Sequence, residues 1–303
     1  MPQNANLRGS ILMALAMAAF ALEDMFIKLA ADTLPTGQVL LLLALGGTVV
    51  FAGLALWQGA RLLSVAALHR GVLLRTAGEV IGSIGLITAL ALTPLSSVSA
   101  IMQATPLFIT LCAALFLGEQ VGWRRWSAII AGFGGVLLVI RPGGDAFTLL
   151  SLFAVLGVIG LGIRDLATRM VPPAFSSMLL AFYAFAALIP TAIGMMVVEG
   201  TAWVNPSPLA WLWMLGANGV GLGAYAMIIA ATRTGEISVV APFRYTRLLF
   251  ALVIGMAIFA ERPDALTLLG AAVIVGSGLY ALIRAARLQR RALVASLTAN
   301  AGL

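Results

Sequence analysis

Nine charged side chains fall inside runs otherwise built from Leu, Ala, Ile, Val, Met and Phe. The cations are Lys28, Arg75, Arg164, Arg244 and Arg247, and the acids are Glu23, Asp24, Glu79 and Asp165. At the centre of a membrane helix each costs roughly 2.5–3.5 kcal/mol, so nine without partners would cost roughly 22–31 kcal/mol. Such groups must face partners or a wet cavity. The chemistry open to them there is ion pairing, proton exchange and recognition of a polar solute.

Spacing supplies the first candidate pairs. Asp24 and Lys28 are four apart, as are Asp165 and Arg169, and Arg75 and Glu79. Residues at i and i+4 lie one turn apart on a helix face. One reading makes these pairs intrahelical salt bridges, with Lys28 and Arg169 reaching for the interface. The other makes them gates, one broken as the other forms. The gating or proton-coupling candidates are then Glu23, Asp24, Lys28, Arg164 and Asp165.

The segment PFRYTR puts Arg244 and Arg247 three apart on one face, beside Phe243 and Tyr245. Two guanidinium groups offer donors to a carboxylate, a phosphate or the carbonyl edge of a heterocycle, unless Glu79 or Glu23 neutralises them. With Arg75, Glu79, Gln103, Tyr225 and Tyr245 they form the candidate substrate-binding set. No metal site or cofactor is expected: the chain has one cysteine, Cys112 in an apolar run, and one histidine, His69, which reads as a solvated loop residue. The apolar runs hold no HExxH or GxSxG arrangement, which argues against an enzyme. A channel would line its pore with one sign of charge, whereas this interior mixes both.

The elements that position these residues follow from composition. Of 303 residues 62% are hydrophobic and 10% charged, where a soluble domain has about 25% charged. Mean hydropathy is +1.08. The chain reads as an all-α integral membrane protein. Ten runs approach the about 20 residues a bilayer requires: 9–31, 36–58, 71–92, 95–117, 124–141, 148–169, 174–198, 209–231, 236–260 and 264–283. Turn-rich segments such as TLPTG, TPLS, LGEQVG, RPGG, VPP, NPSP, TRTGE and ERPD separate them. Residues 285–303 read as a separate basic tail. Pro106, Pro190 and Pro242 read as kinks. GEVIG (78–82) and GANGVGLGAY (216–225) read as small-residue helix packing rather than phosphate loops.

The net charge of +7 reports orientation rather than nucleic-acid binding, because the basic residues lie between apolar runs. With the N-terminus in the cytoplasm, the inside loops hold Arg8, Arg61, Arg70, Arg124, Arg125, Arg169, Arg233, Arg284, Arg287, Arg290 and Arg291. The outside loops hold only Arg141 and Arg262. That bias places both termini inside.

The chain also repeats itself. Shifted by 142 residues, SSVSAIMQATPLFITLCAALFLGE (96–119) falls on SVVAPFRYTRLLFALVIGMAIFAE (238–261) without a gap, matching Ser96 to Ser238, Phe108 to Phe250 and Glu119 to Glu261. Gln103 falls on Tyr245. A shift of 141 sets Glu23-Asp24 on Arg164-Asp165 and Lys28 on Arg169. The first run therefore has a partner in the sixth, which argues against a cleaved leader. A five-helix unit copied once enters the membrane upside down the second time. Two inverted repeats are expected, 1–142 and 143–284.

TPLSSVSAIMQATPLFITLCAALFLGE followed by AGFGGVLLVIRPG resembles the fourth and fifth helices of the drug/metabolite transporter superfamily, in its ten-helix EamA-type branch. The resemblance covers about residues 9–283. It implies two inverted halves around a central cavity and alternating access without ATP. Arg247-Leu248 stands where Thr105-Pro106 stands in the first copy, so the ninth helix is expected to be less kinked. Members of the family export amino acids, take up riboflavin or exchange S-adenosylmethionine. The expected function is a secondary carrier of a small polar metabolite in a bacterial inner membrane. Uptake of a flat vitamin such as riboflavin and export of amino acids or other metabolites are the two leading options, in a monomer or homodimer surrounded by lipid.

Overall fold

The structure is a computed structural model and describes residues 3–116, 122–141, 150–172, 175–234 and 237–301. Glu119, with most of the LGEQVG and RPGG turns, lies outside the described residues, as do Pro173 of VPP and the Gly-Glu of TRTGE. All regular structure among the described residues is helical: α1 (Gln3–Ala31), α2 (Thr36–Trp57), α3 (Arg70–Leu92), α4 (Leu95–Met102), α5 (Thr105–Phe116), α6 (Trp123–Ile140), α7 (Ser151–Thr168), α8 (Ser177–Glu199), α9 (Pro208–Thr234), α10 (Ile237–Val240), α11 (Thr246–Ile258) and α12 (Ala265–Ala301), with short 3-10 turns at Val65–Leu68 and Ala241–Tyr245. Ten segments are long and apolar enough to cross a membrane, α4 with α5 forming the fourth. Val49, Ile130, Leu215 and Val253 are exposed. A water-soluble surface this rich in exposed aliphatic side chains is not stable as a monomer, so these are lipid faces of a multi-pass membrane protein.

Local signals set the helix ends. Ser176 caps α8, its hydroxyl accepting from Leu179 N at 3.1 Å. Gly200, at φ 64°, ends the same helix in the left-handed conformation. His69 is more than a solvated loop residue: its Nδ1 accepts from Gly71 N at 3.1 Å and caps α3. Outside the membrane, the Arg141 guanidinium beside Asp264 holds that carboxyl well below the usual carboxylate range. The same carboxylate accepts from Thr267 N at 2.9 Å and caps α12.

Two expectations change. The tail after 284 is not a separate segment, because α12 runs on to Ala301 through a stretch rich in Ala, Arg and Leu with no Gly or Pro to stop it. The ninth span is not the straighter one either. It begins as α10, tightens into the 3-10 turn with Pro242 near its start, and resumes as α11. Pro242 supplies the break that Pro106 supplies six residues later in the register of the other span. The fourth span breaks at Gln103–Ala104 and the ninth just before Thr246, the same register under the 142-residue shift.

Packing runs in pairs: α1 on α9, α3 on α7, α2 on α8 and α6 on α12. Small residues allow the closest of these approaches. A Cβ on Gly160 of α7 would run into the backbone of Gly82 in α3, and one on Gly85 would run into Gly157. GEVIG is thus helix packing. Gly160→Ala should destabilise the protein by about 1–3 kcal/mol through overpacking, read as a lower thermal midpoint in detergent. Gly134→Ala, where nothing lies within 4 Å of the new methyl, should leave that midpoint unchanged or slightly raised.

Candidate functional site

The breaks in the fourth and ninth spans meet. Breaking a membrane helix frees backbone carbonyls that need donors. Gln103, buried at the end of α4, donates its Nε2 to the carbonyl of Tyr245 at 3.0 Å. The Tyr245 ring turns the other way, onto Gly278 of α12, and its hydroxyl is buried without a partner. Gln103 and Tyr245 are thus brought together through the tyrosine's backbone rather than its ring.

One turn beyond, α11 reaches α1 through an ion pair. Arg247 donates Nε to Asp24 Oδ2 at 3.1 Å and Nη2 to Oδ1 and Oδ2 at 2.8 and 2.7 Å. Asp24 is 3% exposed, and the guanidinium carbon lies 5.3 Å from the centroid of the Phe20 ring. The two arginines differ in surroundings: Arg244, three residues before in the 3-10 turn, is exposed, whereas Arg247, in α11, is partly buried against α1. Neither is neutralised by Glu79; Arg247 is held by Asp24.

A second cluster ties α3 to α7. Arg164 donates Nη1 to Glu79 Oε1 at 3.2 Å and Nε to Asp165 Oδ1 at 2.8 Å. Arg75 donates Nη1 to the Leu180 carbonyl of α8 at 2.9 Å, and its Nε is buried without a partner. Glu79, Arg164 and Asp165 surround Arg75, and the Tyr225 phenol of α9 lies near it. Tyr225 also meets Phe51 edge-on, the centroids 5.5 Å apart. Four ionised groups of balanced charge, an unspent guanidinium N–H and a phenol can bind a polar molecule with a flat part.

The i,i+4 pairs of the sequence are mostly not the pairs of the structure. Asp24 takes Arg247 and Glu79 takes Arg164. Asp165 takes its neighbour Arg164 rather than Arg169. Lys28 donates to the carbonyls of Leu90 and Thr93 at 3.1 and 2.7 Å, at the end of α3, where a cation also meets the negative end of the helix dipole. Its Nζ lies 5.5 Å from the Phe259 ring centroid.

Beside Lys28 is a residue that sequence reasoning missed. Glu261, just past α11, accepts from Leu95 N at 2.6 Å and Ser96 N at 3.0 Å and so caps α4. The signal was its match to Glu119 in the repeat, together with an α4 that starts after Pro94 with no side-chain cap of its own. A cavity of about 410 Å³ opens elsewhere, between the end of α2 and the start of α8, beside Gln58, Arg61 and Ser176. None of the expected site residues lines it.

Residues 7–141 match the EamA-like transporter family. The chain carries a domain of that family. Among similar proteins, an S-adenosylmethionine uptake transporter of Rickettsia bellii is 28% identical over 63% of this chain and 65% of its own length. A riboflavin transporter of Rhizobium johnstonii is 28% identical over 68% of this chain and 67% of its own. The pseudopaline exporter CntI of Pseudomonas aeruginosa is 27% identical over 88% of this chain and 93% of its own. The chain thus spans about 65% of the length of the uptake transporters it matches. A protein crystal structure at 18% identity superposes with a TM-score of 0.58 over 93% of this chain and 99% of that one, which is a likeness of fold.

Proposed function

We infer that the protein is a secondary carrier moving a small polar metabolite across a bacterial inner membrane by alternating access. One observation carries this reading: of the nine charges inside the apolar spans seven lie in contacts between helices, Asp165 is bonded to its neighbour Arg164, and Arg244 alone is exposed. A structural subunit has no use for such expensive groups. Relatives named as transporters of S-adenosylmethionine, riboflavin and pseudopaline support a polar solute.

The carrier is built as two inverted five-helix repeats, 1–142 and 143–284, with both termini cytoplasmic. Exchanging first for sixth and third for eighth spans turns the α1–α9 contact into α7–α3, and both are present. The α2–α8 and α6–α12 contacts map onto themselves. Such architecture puts solute near the midplane, at discontinuous helices. Arg75, Glu79 and Tyr225 contact the solute, with Gln103, Arg244, Tyr245 and Arg247 shaping the breaks beside it. Glu23, Asp24, Lys28, Arg164 and Asp165 control opening.

Guanidinium donors beside Tyr225 and Phe51 favour a flat, carbonyl-bearing solute such as riboflavin, taken up. The exporter relative, which spans most of both chains, favours a second reading, export of an amino-acid-like metabolite. A thermal-shift screen of metabolites on the purified protein should find a stabilising ligand, since a true ligand stabilises by mass action. Proteoliposomes should then take up that ligand saturably, and Arg75→Gln should lower uptake at least tenfold. A ligand that binds without saturable uptake would overturn the carrier reading.

A further inference from the structure

The charge clusters leave one carboxylate over. Asp24 has Arg247, and Glu79 and Asp165 share Arg164. Glu23 makes no hydrogen bond and no ion pair among the described residues. Its carboxylate lies against Gly221 of α9, with Oε1 2.5 Å from the place a Cβ there would take.

The internal register gives this meaning. A shift of 141 sets Glu23 on Arg164, and a shift of 142 sets Glu79 on Gly221. Where α7 meets α3, an arginine finds a glutamate at 3.2 Å. Where α1 meets α9, at the matching positions, a glutamate faces a residue with no side chain. One interface carries its own counter-charge and the other leaves a vacancy for a positive charge.

The surroundings supply nothing else to fill that vacancy. On α1 itself the neighbour is Asp24, another acid. From α11 comes Arg247, which acts on Glu23 electrostatically but spends its Nε and Nη2 on Asp24. On α9, Tyr225 belongs with Arg75 of α3. Glu79 of α3 is bonded to Arg164. In the 3-10 turn, Arg244 is exposed and Tyr245 points to Gly278. α2, α4 and α10 carry no charged residue. Glu23 is partly buried in the α1–α9 contact, and a carboxylate held there without a cation of its own takes a proton.

The geometry points to Glu23 as a proton-binding site, holding a proton while the α1–α9 contact is shut and releasing it when that contact opens to water. The sequence offered Asp24 and Asp165 beside Glu23 as gating or proton-coupling acids; in the structure each of those two has an arginine. The coupling to opening rests on the carrier reading, whereas the protonation does not.

The test uses the full-length protein in lipid nanodiscs, without any solute. Infrared spectra at neutral pH should contain a carboxylic-acid C=O band worth one group per chain. It should vanish in Glu23→Gln, persist in Asp24→Asn and Glu79→Gln, and shift in position in Glu23→Asp. The last variant keeps the acid and guards against misfolding of the amide variant. On raising the pH the band should disappear while the protection of α1 and α9 amides, taken relative to their intrinsic base-catalysed exchange, falls, and Glu23→Gln should abolish that fall. A Glu23→Gln spectrum with the full band, or wild-type protein without one, overturns the site. An intact band with amide protection that ignores pH overturns the coupling. An intact band in a protein that takes up no solute leaves the proton site standing and counts against the carrier.

Discussion

Arg247→Leu should destabilise the protein by about 3–5 kcal/mol, because it leaves the buried Asp24 carboxyl without its partner, whether as an unanswered charge or as an acid that must take up a proton. Asp24 is 3% exposed, and among the described residues its hydrogen bonds come from this one guanidinium. Lys28, one turn away, cannot take over while its ammonium is held by the Leu90 and Thr93 carbonyls. Replacing both partners by uncharged residues is a different matter, since a buried pair swapped for groups of similar size is often neutral. Asp24→Asn combined with Arg247→Leu should therefore recover most of the loss. The thermal midpoints of the single and double variants give the coupling energy, expected at about 2–3 kcal/mol. A double variant no more stable than Arg247→Leu would show that the arginine acts through packing on Phe20. Uptake separates stability from function: a restored midpoint without restored transport assigns the pair to the transport cycle.

The spans are legible in the sequence because the bilayer imposes a length and the turns between runs are rich in Gly and Pro. The run expected at 36–58 is α2, Thr36–Trp57. What hydropathy could not give was continuity. It reads the fourth run as one helix, yet α4 stops at Met102 and α5 starts at Thr105, since a break whose polar groups find partners inside the protein leaves average hydropathy unchanged. It likewise reads a stop at 284, where only polarity changes and α12 continues.

The site residues were legible as types and not as pairs. Nearness along a helix predicted Asp24 with Lys28, but the partner that wins is 223 residues away. Arginine offers a planar fork that fits both carboxylate oxygens, whereas lysine offers a point charge, and no spacing rule sees which helix face will bring such a fork close. The repeat register saw further than spacing did. It aligned Glu23 with Arg164 as opposite charges, which is where the two halves of the structure differ in charge. It also aligned Glu119 with Glu261, whose importance shows only once α4 is seen to begin without a cap of its own.

That cap makes the second large effect. Lys28 of α1 holds the end of α3, and Glu261, just past α11, holds the start of α4, so one charge from each helix clamps the Thr93–Pro94 corner. The same two helices are joined deeper in the membrane by Asp24 and Arg247. Opening the bundle at this end requires α1 to leave α11, and the corner cannot follow both. Glu261→Gln replaces a charged acceptor with a neutral one on two backbone N–H groups. Hydrogen bonds to charged groups contribute about 1.5–3 kcal/mol, and every 1.4 kcal/mol is tenfold in a population. The open state of this end should rise about ten- to hundredfold. Ser99, buried one turn into α4 with an unpartnered hydroxyl, is the place to see it. In a Cys112→Ala background, a Ser99→Cys side chain should react with a water-soluble maleimide about ten to a hundred times faster when Glu261→Gln is added. Lys28→Met should act in the same direction. Equal labelling with and without the carboxylate would mean that the corner is a fixed part of the scaffold and that the bundle opens elsewhere.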